Sequence, residues 1–403
     1  MLSRRSFAGL IATAATAADW PQWRGVARDG RTAETGLLRQ WPAKGPTQLW
    51  RADSLGEGYS SVAVSNGKLF TQGQKQGKQW VMALDASTGK TLWETAAGEA
   101  FPQDRGPGPR GTPTVDGDTV YSLSADGTLV SLAAANGKKN WEGNILRDYK
   151  GSQINWGLSE SPLIDGPRLI VTPGGKDRSL VALDKKTGRP LWGSAGEDAA
   201  GYSSAIAFDF GGQRHIVALT SKGAVGINAA NGWVMWKYAK VANRVANVAT
   251  PIYHDGHVFL STDYGTGCAL LKLTAEGDRV NATEVYFNKD MRNHYGSSVL
   301  KEKHLYGFSS GILTAMDWMT GEVAWRDRSV GKGQVILADG LLYLQGETGT
   351  MALAEATPSA YKEISRFEFG RGDYPLWTLP VIANGRLFMR DQAKLVCYSL
   401  SHA

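Results

Sequence analysis

Apolar residues in this chain come in short runs, each broken by a turn-forming pair. One phrase recurs. Ala83-Leu84-Asp85-Ala86-Ser87-Thr88-Gly89 is followed by Trp93, Ala182-Leu183-Asp184-Lys185-Lys186-Thr187-Gly188 by Trp192, and Ala315-Met316-Asp317-Trp318-Met319-Thr320-Gly321 by Trp325. Weaker copies end in Asn136-Gly137 with Trp141 and in Asn231-Gly232 with Trp236, and decayed ones surround Thr274–Gly277 and Glu355–Pro358. Asp starts a turn by hydrogen-bonding the backbone two residues on, and Gly supplies a positive φ at little steric cost. An apolar strand precedes each turn and a strand ending in Trp follows it, so each phrase predicts a hairpin. A second hairpin signal interleaves with the first: Asn66-Gly67, Asp116-Gly117, Asp165-Gly166, Asp255-Gly256, Asp339-Gly340 and Asn384-Gly385. Gly211-Gly212 and Glu302-Lys303 fill the remaining gaps.

The unit is therefore four strands in roughly 40–50 residues, the period of a propeller blade. There are eight first hairpins and eight outer-strand positions: Trp50, Trp93, Trp141, Trp192, Trp236, near Phe287, Trp325 and near Phe367. The two series are offset. The strand at Gln48-Leu49-Trp50 has no hairpins before it, and the last blade, ending at Leu400, lacks an outer strand. The expectation is an all-β, eight-bladed β-propeller whose N-terminal strand completes the last blade and removes exposed sheet edges. A linear solenoid would need capping repeats, and the Trp-Asp strand end of WD repeats is absent. The Trp residues stand at blade spacing on outer strands, which assigns them to packing between blades rather than to a cofactor.

The repeat resembles the tryptophan-docking repeat of pyrroloquinoline-quinone (PQQ)-type propellers. That group includes quinoprotein alcohol dehydrogenases and the lipoprotein scaffold of the outer-membrane barrel-assembly machinery. The opening Asp19-Trp20-Pro21-Gln22-Trp23-Arg24-Gly25 is similar to the start of bacterial PQQ-binding-like β-propeller proteins. The resemblance covers nearly the whole chain after the leader. It implies the fold and leaves the activity open, because one fold hosts many functions.

Composition narrows the classes. With 403 residues, length alone suggests two or three domains, but a closed ring grows as one. The 42% of apolar residues supports a sizeable core and excludes a disordered chain. The net charge of +6 is scattered without a basic run, which indicates no nucleic-acid footprint. Two cysteines make neither a disulfide framework nor a cysteine-only zinc site. No stretch is long and apolar enough for a membrane helix. Arg4-Arg5, the uncharged Phe7–Ala17 stretch and Ala15-Thr16-Ala17 read as an export signal over residues 1–17, similar to the twin-arginine type. Residues 18–403 are then expected as one propeller domain, a periplasmic or secreted monomer.

Two motif matches fail on context. Gly106-Pro107-Gly108-Pro109-Arg110-Gly111 spells a dinucleotide fingerprint, but a hairpin around Asp116-Gly117 follows where a helix is required. Gly307-Phe308-Ser309-Ser310-Gly311 spells a nucleophile elbow at a strand-to-strand turn. His254 and His257 flank a hairpin tip, and no metal site is expected there or elsewhere.

The candidate site lies in the connections from one blade's outer strand to the next blade's inner strand. In propellers these gather round one end of the channel, and loops on rigid scaffolds carry function. They place Arg110, Trp156, Glu160, Arg244, Asn247, His294, Tyr295 and Trp377 at one mouth, with Tyr59 and Tyr202 in matching Gly-Tyr-Ser-Ser phrases. The leading expectation is a ligand- or protein-binding scaffold, with an unidentified periplasmic protein or small ligand as partner. The alternative, implied by the resemblance, is a PQQ-dependent alcohol or sugar dehydrogenase. Arg105, Arg110 and Arg244 with Trp156 or Trp377 would then hold the quinone, and Glu160 and Asn247 part of a calcium ion. Cys268 and Cys397 fall in different blades, whereas those enzymes carry adjacent, disulfide-bonded cysteines, and no Cys-x-x-Cys-His haem motif occurs.

Overall fold

The computed structural model describes residues 18–402. Eight four-stranded antiparallel sheets form a ring. Blades one to seven span 63–99, 114–144, 163–193, 206–238, 252–288, 299–327 and 333–368. Blade eight combines 381–399 with the N-terminal strand Gln48–Ala52, which pairs antiparallel with Lys394–Ser399. The predicted closure is thus present, and the last blade gains its outer strand from the start of the chain.

Turn chemistry explains the first hairpins. At Asn66-Gly67, Gly211-Gly212, Asp255-Gly256, Asp339-Gly340 and Asn384-Gly385 both central residues have positive φ. That is the mirror-image turn whose twist matches the flanking strands. At the two other glycine sites the register moves the turn one residue along, to Gly117-Asp118 and Gly166-Pro167. In the second hairpins the Asp85 carboxylate accepts the backbone N–H groups of Ser87 and Thr88, each at 2.9 Å. Asp184 and Asp317 do the same in their blades.

Every outer strand carries a bulge beside the same position of its partner. The bulge aims the next side chain at the neighbouring blade. Trp93 therefore packs on Gly137 and donates its Nε1–H to Ala134 O at 3.1 Å. Trp50, Trp141 and Trp192 repeat this on Ala86, Lys185 and Ala229. In blade five the docking residue is Tyr286, one before Phe287, with its hydroxyl donating to Trp318 O. In blade seven the register puts Ser365 there, and Phe367 instead packs edge-on against Trp41. Trp236 faces the long hairpin of blade five, which closes on Gly277-Asp278 without the Asp-capped turn, and its buried N–H has no partner.

The feature that shapes the channel is the segment before the ring. It enters at the end where the first hairpins turn, with Asp19 accepting the Asn66 N–H at 3.1 Å. From there it touches every blade. Trp20 bridges to Val64, and the Val115 N–H donates to Pro21 O. Arg28 donates to Ser161, Pro162 and Ala205 carbonyls. Trp23 donates to Thr250 Oγ1 at 2.9 Å, and Arg24 to Ser298 O at 2.6 Å. The Thr32 N–H bonds Leu337 O, and Glu34 accepts the Gly385 N–H. Arg24 and Arg28 are 1% and 2% exposed. Carbonyls of the channel and of the plug itself, with the Gln22 and Thr114 side-chain oxygens, satisfy their guanidinium N–H groups in place of carboxylates, and burial lowers them only to about 10 and 9, so both stay charged at neutral pH. The segment plugs the channel.

Above the plug runs a belt of small hydroxyl residues at the start of the first six inner strands, Ser61, Thr112, Ser161, Ser204, Thr250 and Ser297. The Ser61 N–H bonds Thr112 Oγ1, Thr112 N–H bonds Ser161 Oγ, and Ser161 N–H bonds Ser204 Oγ. Thr250 N–H bonds Ser297 Oγ further round the ring. These bonds tie neighbouring blades where no sheet ladder can.

Candidate functional site

With one end of the channel filled, the other is a blind bowl of about 420 Å³. Its floor includes Trp23 from the plug. One wall is Trp156 against Tyr202, with ring centroids 5.5 Å apart. The opposite wall is Trp377, flanked by Tyr59 at 5.3 Å and Tyr295 at 5.5 Å. His294 lies between Tyr264, Tyr295 and Trp377. Three cations line the bowl, Arg105, Arg110 and Lys332, and no carboxylate does.

These groups are held from behind. Arg110 lies over Phe101 at 5.4 Å and Tyr59 at 5.8 Å, and donates to Gly106 O and Gly108 O. Burial lowers it to about 10, so it remains a cation. Tyr59 donates to Arg105 O at 2.6 Å, and burial pushes its phenol up, keeping it neutral. Trp377 donates Nε1–H to Glu347, which also sits 3.9 Å from Lys332. Burial and the Lys332 charge hold His294 below the ordinary histidine value, so it is uncharged at neutral pH.

Of the eight residues expected at the mouth, the structure brings five together on the bowl: Arg110, Trp156, His294, Tyr295 and Trp377. It does not bring the other three. Glu160 is 4% exposed and turned into blade three, where both its oxygens accept from Thr172. Burial raises it to about 7. Asn247 is buried and holds its own loop, accepting the Asn243 N–H and donating to Thr220 O. Arg244 points to solvent on that loop, whose neighbours Val245, Ala246 and Val248 meet the bowl instead. Sequence reasoning missed Trp23, Tyr264 and Lys332. Lys332 ends an outer-to-inner connection, 328–332, so the rule that found the others also covers it.

A calcium-held quinone does not fit this donor set. The wall offers no carboxylate, Glu160 and Asn247 spend their oxygens on Thr172 and Asn243, and Cys268 and Cys397 lie in blades five and eight. Among the described residues no three His, Cys, Asp or Glu side chains stand together as metal ligands.

Fold and bowl define a class: an eight-bladed propeller with tryptophan-docked blades and a channel closed at one end. The chain belongs to the family described as outer membrane protein assembly factor BamB, whose model matches residues 36–152 and 153–327. Curated relatives under that name are 29% identical over 160 residues in Burkholderia pseudomallei and 25% identical over 310 residues in Shewanella oneidensis. The matched stretches span 39% and 73% of this chain, and 37% and 70% of those proteins. Among solved structures, BamB from Moraxella catarrhalis superposes with a TM-score of 0.62 at 15% identity, covering 89% of this chain and 98% of that one. A quinohemoprotein alcohol dehydrogenase from Pseudomonas putida HK5 gives 0.64 at 12% identity, covering 96% and 80%. At these identities both show the fold alone.

Proposed function

We propose that this chain is an exported binding propeller, a BamB-like scaffold without chemistry of its own, which works through the bowl. The observation that carries the reading is the composition of that wall: a cluster of aromatic rings and three cations, with no carboxylate, over a closed floor. Such a wall favours a negatively charged group carried on an apolar or aromatic body, on a small ligand or on a projecting segment of a partner protein. Trp, Tyr and Arg are also the residues that dominate binding energy at interfaces. The family membership supports the scaffold side of the reading, since the relatives are named for outer membrane protein assembly. The export segment over 1–17 lies outside the described residues. Periplasmic delivery is part of the proposal, tested by fractionation of wild type against Arg4→Lys with Arg5→Lys.

The test of the bowl uses 2-naphthalenesulfonate, an aromatic anion, against neutral 2-naphthol. The sulfonate should raise the melting temperature of wild type, and the Arg110→Ala, Trp156→Ala double variant should lose that effect. A control pair on outer hairpins, Lys90→Ala with Lys186→Ala, should keep it. Equal responses to the two probes, or equal loss in both variants, would place the site elsewhere.

A further inference from the structure

The bowl's floor is not made by the ring. Blade residues supply its walls, but Trp23 comes from the segment that precedes the first strand. Three features fix that indole. Its Nε1–H donates to Thr250 Oγ1 at 2.9 Å. Thr250 is itself held by its backbone N–H on Ser297 Oγ, within the hydroxyl belt. The next residue, Arg24, is anchored through the Ser297 and Ser298 carbonyls of blade six, and Arg28 through blades three and four. The indole is therefore pinned from both sides, while most plug contacts are made by other residues.

We infer that Trp23 is the depth- and shape-determining residue of the binding site, supplied in cis by the N-terminal segment. The inference rests on the bowl being the binding site. An indole held edge-bonded on a rigid belt is a flat, apolar stop. It limits how far a ring can descend between Trp156 and Trp377 once an anionic group has met Arg105, Arg110 or Lys332. The wall has no carboxamide or carboxylate side chain, and beside Ser159 and Ser204 its hydroxyls are tyrosine phenols, two of which already donate to the Arg105 and Lys332 carbonyls. The ligand it fits is a compact organic anion with one apolar ring system resting on the floor. Trading the indole for a methyl deepens the bowl without touching the cations, so the change appears as altered preference between short and long anions, not as general loss.

The experiment compares two probes with the same charged head, naphthalene-2-sulfonate (short) and 6-anilinonaphthalene-2-sulfonate (long), titrated calorimetrically into the full chain. In Trp23→Ala the ratio of their dissociation constants should shift about tenfold toward the longer probe, the scale of discrimination a changed apolar pocket provides. Trp23→Phe should shift it the same way by about threefold. A merely structural role would weaken both probes equally and leave the ratio alone. If Trp23→Ala fails to fold, Trp23→Phe decides. An unchanged ratio in the folded variant, with both probes still bound by wild type and lost in the Arg110→Ala, Trp156→Ala variant, overturns the floor role and spares the bowl. Failure of wild type to bind either probe overturns both readings.

Discussion

Trp50 and Ala86 join the last blade to the first: the indole Nε1–H of the closing strand donates to the Ala86 carbonyl at 3.1 Å, and Gly89 lies beneath the ring. Closure is therefore fastened by the same device that joins blades inside the ring. Deleting residues 1–51 should bare the edge of Lys394–Ser399 and promote aggregation. Size-exclusion chromatography checks this. A monomer that melts like the full chain would show that the Gln48–Ala52 strand is dispensable.

The docking pairs make a graded prediction. A Cβ on Gly137 would come within 2.5 Å of the Trp93 ring, whereas one on Gly77 meets nothing within 4 Å. Both glycines have φ near +72°, so both alanine variants carry similar backbone strain, roughly 1–2 kcal/mol. Gly137→Ala should lose a further 1–3 kcal/mol, roughly, from overpacking. Urea unfolding of the two variants gives the difference.

Trp93→Phe should cost about 1 kcal/mol more than Trp236→Phe on account of hydrogen bonding. Trp93 loses a bond to Ala134 O, while the buried Trp236 N–H has none to lose. Equal costs would show that the bond contributes nothing net.

Glu160 gives the fold a pH dependence. Burial raises its carboxyl from 4.5 to about 7, against the opposing pull of the Thr172 bonds and the Arg28 charge. The native state then binds a proton more tightly than the unfolded chain. Its contribution is fully present below pH 4.5 and is lost as pH rises through 7, a change of order 3 kcal/mol. Glu160→Gln keeps a partner for Thr172 and removes the titration. The difference in melting temperature between wild type and this variant should therefore widen in favour of the variant from pH 5 to pH 8. Parallel profiles would contradict it.

Cys268 and Cys397 are free and buried, and burial raises each thiol to about 12. Both should resist thiol reagents in the native protein and react on unfolding. Mass spectrometry should find no two-hydrogen gain on reduction. Such a gain would contradict their placement in blades five and eight.

The ring was legible because each blade repeats the same local chemistry. An Asp that caps its turn and a Gly that clears the neighbour's docking ring recur at Asp85-Gly89, Asp184-Gly188 and Asp317-Gly321, and the offset of the two series gave the closure. Where a blade departs from that chemistry, the reading loosened: the docking position of blade five is Tyr286, and that of blade seven is Ser365. The site was legible only as a set of loops. Spacing places Glu160, Asn247 and Arg244 near the mouth but does not say which way a side chain turns, and hydrogen bonds to Thr172 and Asn243 decided that for the first two. The plug was visible as the phrase Asp19–Gly25, yet its seat was not. It is a single unrepeated coil whose partners reach as far as Asn384, 365 residues from Asp19.

That distance orders events in the life of the chain. The plug precedes all eight blades in sequence, but Arg24 finds its acceptors at Ser297 and Ser298, and Glu34 at Gly385. In a nascent chain the Arg28 guanidinium has no channel acceptors until blades three and four exist, and that of Arg24 none until blade six does. Residues 18–34 thus complete their native contacts only when the last blades are in place, and a finished bowl reports that the whole ring has been made.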